Sequence, residues 1–488
     1  VSPGEGQRAG ERLERWLVSW GWAALIAITA LILFAGAMGY VVHLTLGRLD
    51  RAAAAAERDD PYWRLTNPND GREVVPDDAN AAIVVAEASA MLPKTWPPDA
   101  SRSSSIPVSE ADWDVERAFD RLSIHDFTGT PRRLDEPTAQ ILRDELSRRS
   151  SALAKARKLV ALPRGHFGLT PGKLVYEYED DVWERNCEWR ILRLLQADAA
   201  VAVFDGRFDD AISSCRAMLG VVRAIGDEPF AWSQERRMRF AETAAHLAVR
   251  ILALGEPSLD AMAALQRDLL AERDWPWARH LLRGERASLF ESLRYRDARA
   301  RGLVAFPTRL LSSGHCAESL EWMAELRALA DRPEPDQLAG LEALRERIAE
   351  FPNSRLVGFA QTAAYALMAD RVARAFAEAI RSRARLGATV ILIAAERHRR
   401  ATGAWPTTVA EISKAILPNP PLDPYTGRPY HILRVDDGLR VYSVGPNRLD
   451  ENGAASVENV DDVAAIGFDV DQRNQAPVDQ PTPESEEP

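Results

Sequence analysis

The sequence predicts a mainly α protein with three parts: a single transmembrane helix, a body of helical hairpins forming a solenoid or bundle, and a small C-terminal α+β unit containing a β-hairpin. Residues 16–42 carry no charged side chain. Residues 134–385 repeat apolar positions at helical spacing between glycine and proline breaks. Beyond residue 386 the pattern shortens to strand-like segments around Asp436-Asp437-Gly438. The expected divisions are 1–15 as a short tail, 16–46 as the membrane helix, 47–133 as a linker with short helices and 134–385 as the helical body. The α+β unit then takes 386–468, and 469–488 form a disordered acidic tail.

The membrane helix is the strongest signal. At 1.5 Å per residue, a helix over 16–42 is about 40 Å long, more than the ~30 Å hydrocarbon core. Trp16, Trp20 and Trp22 at one end and Tyr40 at the other are placed as interfacial aromatics. Arg8, Arg12 and Arg15 precede the segment; Arg48, Arg51 and Arg58 follow it. Ala35-Gly36-Ala37 would also suit a signal-peptide cleavage site, but Val41, Val42, Leu44 and Leu46 continue the apolar run beyond it. The orientation favoured puts the short N-terminus in the cytoplasm and the large C-terminal part on the exocytoplasmic side.

The alanine-rich stretch after Leu46 extends this helix by two turns, until Asp60-Pro61-Tyr62-Trp63 breaks it. Asp77-Asp78 is expected to cap a short apolar helix ending before Pro93. One long helix is expected over 136–162, then further helices over 181–204, 207–225, 230–254, 258–273, 276–300, 315–331, 335–350 and 355–401. Their breaks fall at Gly206, Asp227-Glu228-Pro229, Gly255-Glu256-Pro257 and Pro276. Short connections between helices of this length favour antiparallel hairpins. Residues 199–219 resemble one tetratricopeptide unit, with Gly206-Arg207-Phe208 at the turn and Ala199, Ala202, Ala211, Ile212 and Leu219 at packing positions. Such bodies generally bind other proteins, so protein partners are expected through the helical body.

In the C-terminal unit, a three-residue loop with Gly438 left-handed would pair Val435 with Leu439 and Leu433 with Val441. The motifs follow in order: Gly403-Ala404-Trp405-Pro406-Thr407-Thr408, then Asp423-Pro424-Tyr425-Thr426-Gly427-Arg428-Pro429-Tyr430, then Tyr442-Ser443-Val444-Gly445. This succession over 388–463 resembles the globular half of type II secretion pseudopilins. The resemblance implies a long helix covered by a small antiparallel sheet, and a place in a secretion or pilus-like machine. It also implies a possible calcium site after the last strand, for which Asp450, Glu451, Asp461 and Asp462 supply oxygen ligands. The bland reading of those four residues is a solvated acidic loop. With its Asp-Pro-Tyr-Trp segment after the anchor, the whole chain resembles a group of bacterial single-pass membrane proteins, which implies a cell-envelope location and no particular activity.

The net charge of −11 belongs mostly to the end of the chain: residues 450–488 hold eleven acids and one arginine, so residues 1–449 sum to −1. A nearly neutral body lacks the basic stripe a nucleic-acid surface needs. Cys187, Cys215 and Cys316 have neither disulfide-framework nor metal-ligand spacing. No His-Glu-x-x-His, Gly-x-Ser-x-Gly or Ser-x-x-Lys motif occurs, so no catalytic residue and no cofactor other than calcium is expected. Asp180-Asp181 and Asp209-Asp210 are expected at helix starts, and His398-Arg399-Arg400 on a solvated helix face. The functional expectation is a membrane-anchored scaffold or protein-binding module. The alternatives are an accessory part of a secretion machine or an enzyme with a site in a helical groove.

Overall fold

The computed structural model describes residues 3–97, 110–122, 133–299, 305–350, 359–435, 438–453 and 466–469. The expected loop at 93–108 (beyond 97), Asp461, Asp462 and the tail beyond 469 lie outside them. The described residues are mainly helical with one small antiparallel sheet, as the sequence predicts.

Helix α1 (Pro3–Asp59) runs unbroken through the apolar stretch and the alanine-rich extension. It ends where Pro61 cannot continue it. Its apolar residues are bare: Trp20, Ile26, Leu31, Leu33 and Phe34 are all more than 60 % exposed. A soluble helix would turn such a face inward. Among the described residues, this one helix is long and apolar enough to cross a membrane.

Helices α2 (Ala81–Ala90), α3 (Glu110–Asp120), α4 (Glu136–Arg148) and α5 (Ser150–Ala156) lead into the body. The α2 cap is Asn80, whose side chain accepts from the Ala82 amide, and not the Asp77-Asp78 pair, which lies in a 3-10 turn. The single helix expected over 136–162 divides at Arg149 and ends in a 3-10 turn, Arg157–Ala161.

The hairpin series follows: α6 (Val175–Glu184), α7 (Cys187–Phe204), α8 (Phe208–Ile225), α9 (Ala231–Leu254), α10 (Leu259–Arg273), α11 (Trp277–Arg299), α12 (Ala305–Ala330), α13 (Glu334–Glu350) and α14 (Phe359–Thr402). Gly206 turns α7 into α8 at φ +74°, and Ala199, Ala202, Ala211, Ile212 and Leu219 are buried between them. The segment expected as one helix from 181 is two, so Asp180-Asp181 sit in the second half of α6 and not at a helix start. Asp209-Asp210 do open α8.

Strands β1 (His431–Val435), β2 (Gly438–Tyr442) and β3 (Ile466–Asp469) form an antiparallel sheet in that order. The hairpin register differs by one residue from the expected one. Val435 pairs with Gly438 and Ile432 with Val441, and Gly438 is a strand residue. The third strand makes β2 central, and Leu439 and Val441 are fully buried while Arg440 points out. A slip of one residue reverses every side chain, so the buried face decides the register.

Two cores organise the body. The first joins α2 to α5, α7 to α10, the 386–395 stretch of α14 and strand β2. The second joins the end of α1 to α11, α12, α13 and the 372–379 stretch of α14. Helix α14 therefore ties the small sheet and the apolar helix α1 to one scaffold.

Candidate functional site

The candidate site lies where the apolar helix enters the body. Met38, Val42, Thr45, Leu49, Ala52 and Ala56 are among the shielded positions on α1 and are spaced alternately four and three residues apart. That spacing keeps one seam toward a partner helix. The partner is α12: a Cβ on Gly314 would lie 3.5 Å from Thr45 Cγ2, and Arg48 forks onto Glu321 at 2.5 and 2.9 Å.

The stop motif then locks this seam. The Asp60 amide donates to Ala56 at 2.9 Å, closing the last turn, and the Tyr62 amide donates to Asp60 Oδ1 at 3.0 Å. The same carboxylate receives Arg283 of α11 through Nε at 2.5 Å and a second nitrogen at 3.2 Å, with both side chains about a tenth exposed. Arg286, one turn on, donates to Asp59 at 2.5 Å. Trp63 is fully buried, donates its indole N–H to Glu57 at 2.9 Å and meets the Phe290 ring edge-on at 5.3 Å. Asp-Pro-Tyr-Trp thus ends the apolar helix and clamps it to α11.

A belt of buried charge surrounds the break at Asp227-Glu228-Pro229. Arg185 grips Glu228 at 2.7 and 3.0 Å and Glu188 at 2.8 Å, and Ser233 adds a hydroxyl to Glu228 at 2.5 Å. Arg72 donates to Asp227 at 2.9 Å and the Glu73 amide at 2.7 Å. Burial works to raise both acids, but Arg72 beside Asp227 and Arg185 beside Glu228 hold them below the usual carboxylate range. Burial pushes the His280 imidazole down to about 4 against the pull of Asp227. Burial likewise raises the Cys187 and Cys215 thiols well above their ordinary value, the reverse of what a thiolate nucleophile needs.

In the C-terminal unit the motif residues bind one another. Asp423, buried to 1 % exposure, accepts from the Tyr425 amide at 2.9 Å, the Ser443 hydroxyl at 2.9 Å and the Val444 amide at 3.1 Å. The Asp-Pro loop is thereby stapled to the Tyr-Ser-x-Gly strand end. Gly387 of α14 lies under Tyr430, where a Cβ would come within 2.2 Å of the hydroxyl oxygen. The 397–400 stretch is half-buried and not a solvated face. Arg399 and Arg400 both clasp the buried Glu396, and Arg397 reaches the Gln266 side chain and the Ile416 carbonyl.

Of the four calcium candidates, Asp450 and Glu451 are described. Asp450 accepts from the Tyr442 hydroxyl at 2.9 Å and the Asn452 amide at 2.9 Å, and lies 3.2 Å from His431 Nδ1. Burial opposes its ionisation, but the Asn452 amide, Tyr442 and His431 keep it below its ordinary range. Burial and Asp450 together push Tyr442 up to about 12. Glu451 stands 3.5 Å from the Asn447 amide nitrogen. Among the described residues no three His, Cys, Asp or Glu side chains come together as a metal site. Comparison with protein-family models, curated proteins and solved structures finds no match.

Proposed function

We propose that this chain is a single-pass membrane scaffold of the cell envelope, which holds its helical body rigidly at the bilayer surface to bind other proteins. The observation that carries the reading is the continuity of α1. A bare apolar helix becomes, without a flexible joint, one wall of the body's second core. A tethered domain would have a polar linker there. The Arg48–Glu321, Asp60–Arg283 and Asp59–Arg286 pairs instead fix the angle between anchor and body. The paired state of the buried ionic belt supports a structural role for it over a catalytic one.

The C-terminal part stands on the exocytoplasmic side in this reading. Protease added to intact cells or spheroplasts would then cut it, whereas cutting only after lysis places it in the cytoplasm. A second reading, an accessory part of a secretion or pilus-like machine, draws on the long helix α14 carrying a three-stranded antiparallel sheet. Co-purification of secretion components from solubilised membranes would favour it.

A further inference from the structure

Away from the junction, one cleft gathers polar groups that the fold itself leaves unused. It opens where α9, the end of α10, the start of α11 and α14 meet, and encloses about 280 Å³, its mouth included. Ala379, Ser382, Arg383 and Leu386 recur at helical spacing, so α14 turns one face to it. Met238 and Ala241 add an apolar wall from α9. Ala241 and Leu386 belong to the first core and Trp277 and Ala379 to the second, so the cleft lies at the joint between them.

Positive charge predominates inside it. Arg237 is satisfied by both oxygens of Glu272, at 2.5 and 2.7 Å. Glu334 is shared, taking Arg273 at 2.8 Å and Arg383 at 3.3 Å. Asp274 also takes Arg273 at 2.8 Å, but its side chain is 59 % exposed. Three guanidinium groups thus share two shielded carboxylates. The Trp277 indole N–H, the Ser382 hydroxyl and Arg383 Nε are out of solvent and have no hydrogen-bond partner among the described residues. Trp277 and Ser382 are only 4 % and 3 % exposed, and the Arg383 guanidinium stands 6.0 Å from the Trp277 ring centre. Burial holds Arg383 below its ordinary range against the pull of Glu334, and Arg273 adds to that effect. Buried donors are costly unless paired, and a charged acceptor pairs them most strongly. Trp277 is also the first residue of α11, and a helix N-terminus favours an anion. We propose that this cleft binds a small oxyanion, the carboxylate or phosphate of a small molecule, held by Trp277, Ser382 and Arg383. The space falls below the roughly 300–1,000 Å³ of an organic-ligand pocket, which limits the occupant to a compact anion. Bound there, the anion joins α11 to α14 across the two cores.

The test is equilibrium dialysis of the full chain, in an uncharged detergent and a chloride-free buffer, against radiolabelled inorganic phosphate and, separately, acetate. The expected result is saturable uptake of one anion per chain. Preference for phosphate assigns the site to a phosphoryl group, and preference for acetate assigns it to a carboxylic acid. Trp277→Phe keeps a ring against Phe376 but loses the N–H, and Ser382→Ala loses only the hydroxyl. Each should weaken binding about tenfold, the usual worth of a hydrogen bond to a charged group. Thermal unfolding without added anion checks that each variant is folded, and Ser382→Ala carries the test alone should Trp277→Phe fail to fold. Uptake that does not saturate, or that is unaltered in the folded variants, overturns the site. So does the absence of uptake of either anion.

Discussion

If the anchor is clamped by Asp60, then breaking that clamp must loosen the junction by an amount the geometry sets. Asp60→Asn removes the charge from a carboxylate that receives two Arg283 nitrogens and the Tyr62 amide. It leaves Arg283, about a tenth exposed, without its counter-charge. Removing one partner of a buried pair costs about 3–5 kcal/mol, and residual exposure and the retained amide oxygen place this case near 3. Arg283→Met should cost a similar amount. The double variant, which leaves no orphaned charge, should cost clearly less than the sum, with a coupling of about 1.5–2 kcal/mol. Trypsin cleavage at exposed Arg58, measured on the full chain in detergent, reads the local opening directly. If opening is fast relative to cutting, 3 kcal/mol accelerates cleavage about a hundredfold. Cleavage unchanged within twofold in Asp60→Asn, or single effects that add within about 0.5 kcal/mol, would refute the clamp.

Three further outcomes follow from the same packing. Gly284→Ala should destabilise the body by about 1–3 kcal/mol in denaturant unfolding, because a Cβ there would lie 1.9 Å from the Pro229 carbonyl oxygen; a stabilisation, as helix propensity alone predicts, would show that contact to be absent. His280 is neutral in the fold, with a pKa near 4 against about 6.5 unfolded, so its stabilisation is full above pH 6.5 and is lost as pH falls toward 4. His280→Phe should therefore flatten the acid limb of stability in that window by at most about 3 kcal/mol, and an unchanged limb counts against the burial of this imidazole. Asp423→Ala removes three acceptor contacts from buried donors and should cost about 3 kcal/mol or more, read as faster hydrogen exchange in β2. Protection equal to that of the unsubstituted chain would mean the staple is unimportant.

Much of this architecture is legible in the residues themselves, and the exceptions have physical causes. Gly206, Pro229, Pro257 and Pro276 mark helix breaks correctly because glycine and proline act through the local backbone alone. The division at Arg149 is hidden because Leu146, Ala152, Leu153 and Ala156 stay buried across it, so the apolar period runs on. The break before Cys187 is equally silent: Arg185 reaches Glu228, which lies beyond two intervening helix-length segments. The hairpin register depends on β3, whose pairing with β2 crosses residues 443–465 and leaves no trace in the hairpin itself. At the junction, Asp60-Pro61 reads plainly as a helix stop. Its partner Arg283 is 223 residues away, and nothing in one sequence connects them. Asp423 stands out as a motif residue, while its role as an internal staple emerges only when Ser443 and Val444 come against it.

The account stands or falls on whether α1 spans a bilayer while fused to the body. Alkaline carbonate extraction of membranes carrying the full chain tests this most directly. The prediction is that intact protein stays with the lipid pellet after washing at high pH and high salt. Recovery of full-length protein in the supernatant would contradict the central claim.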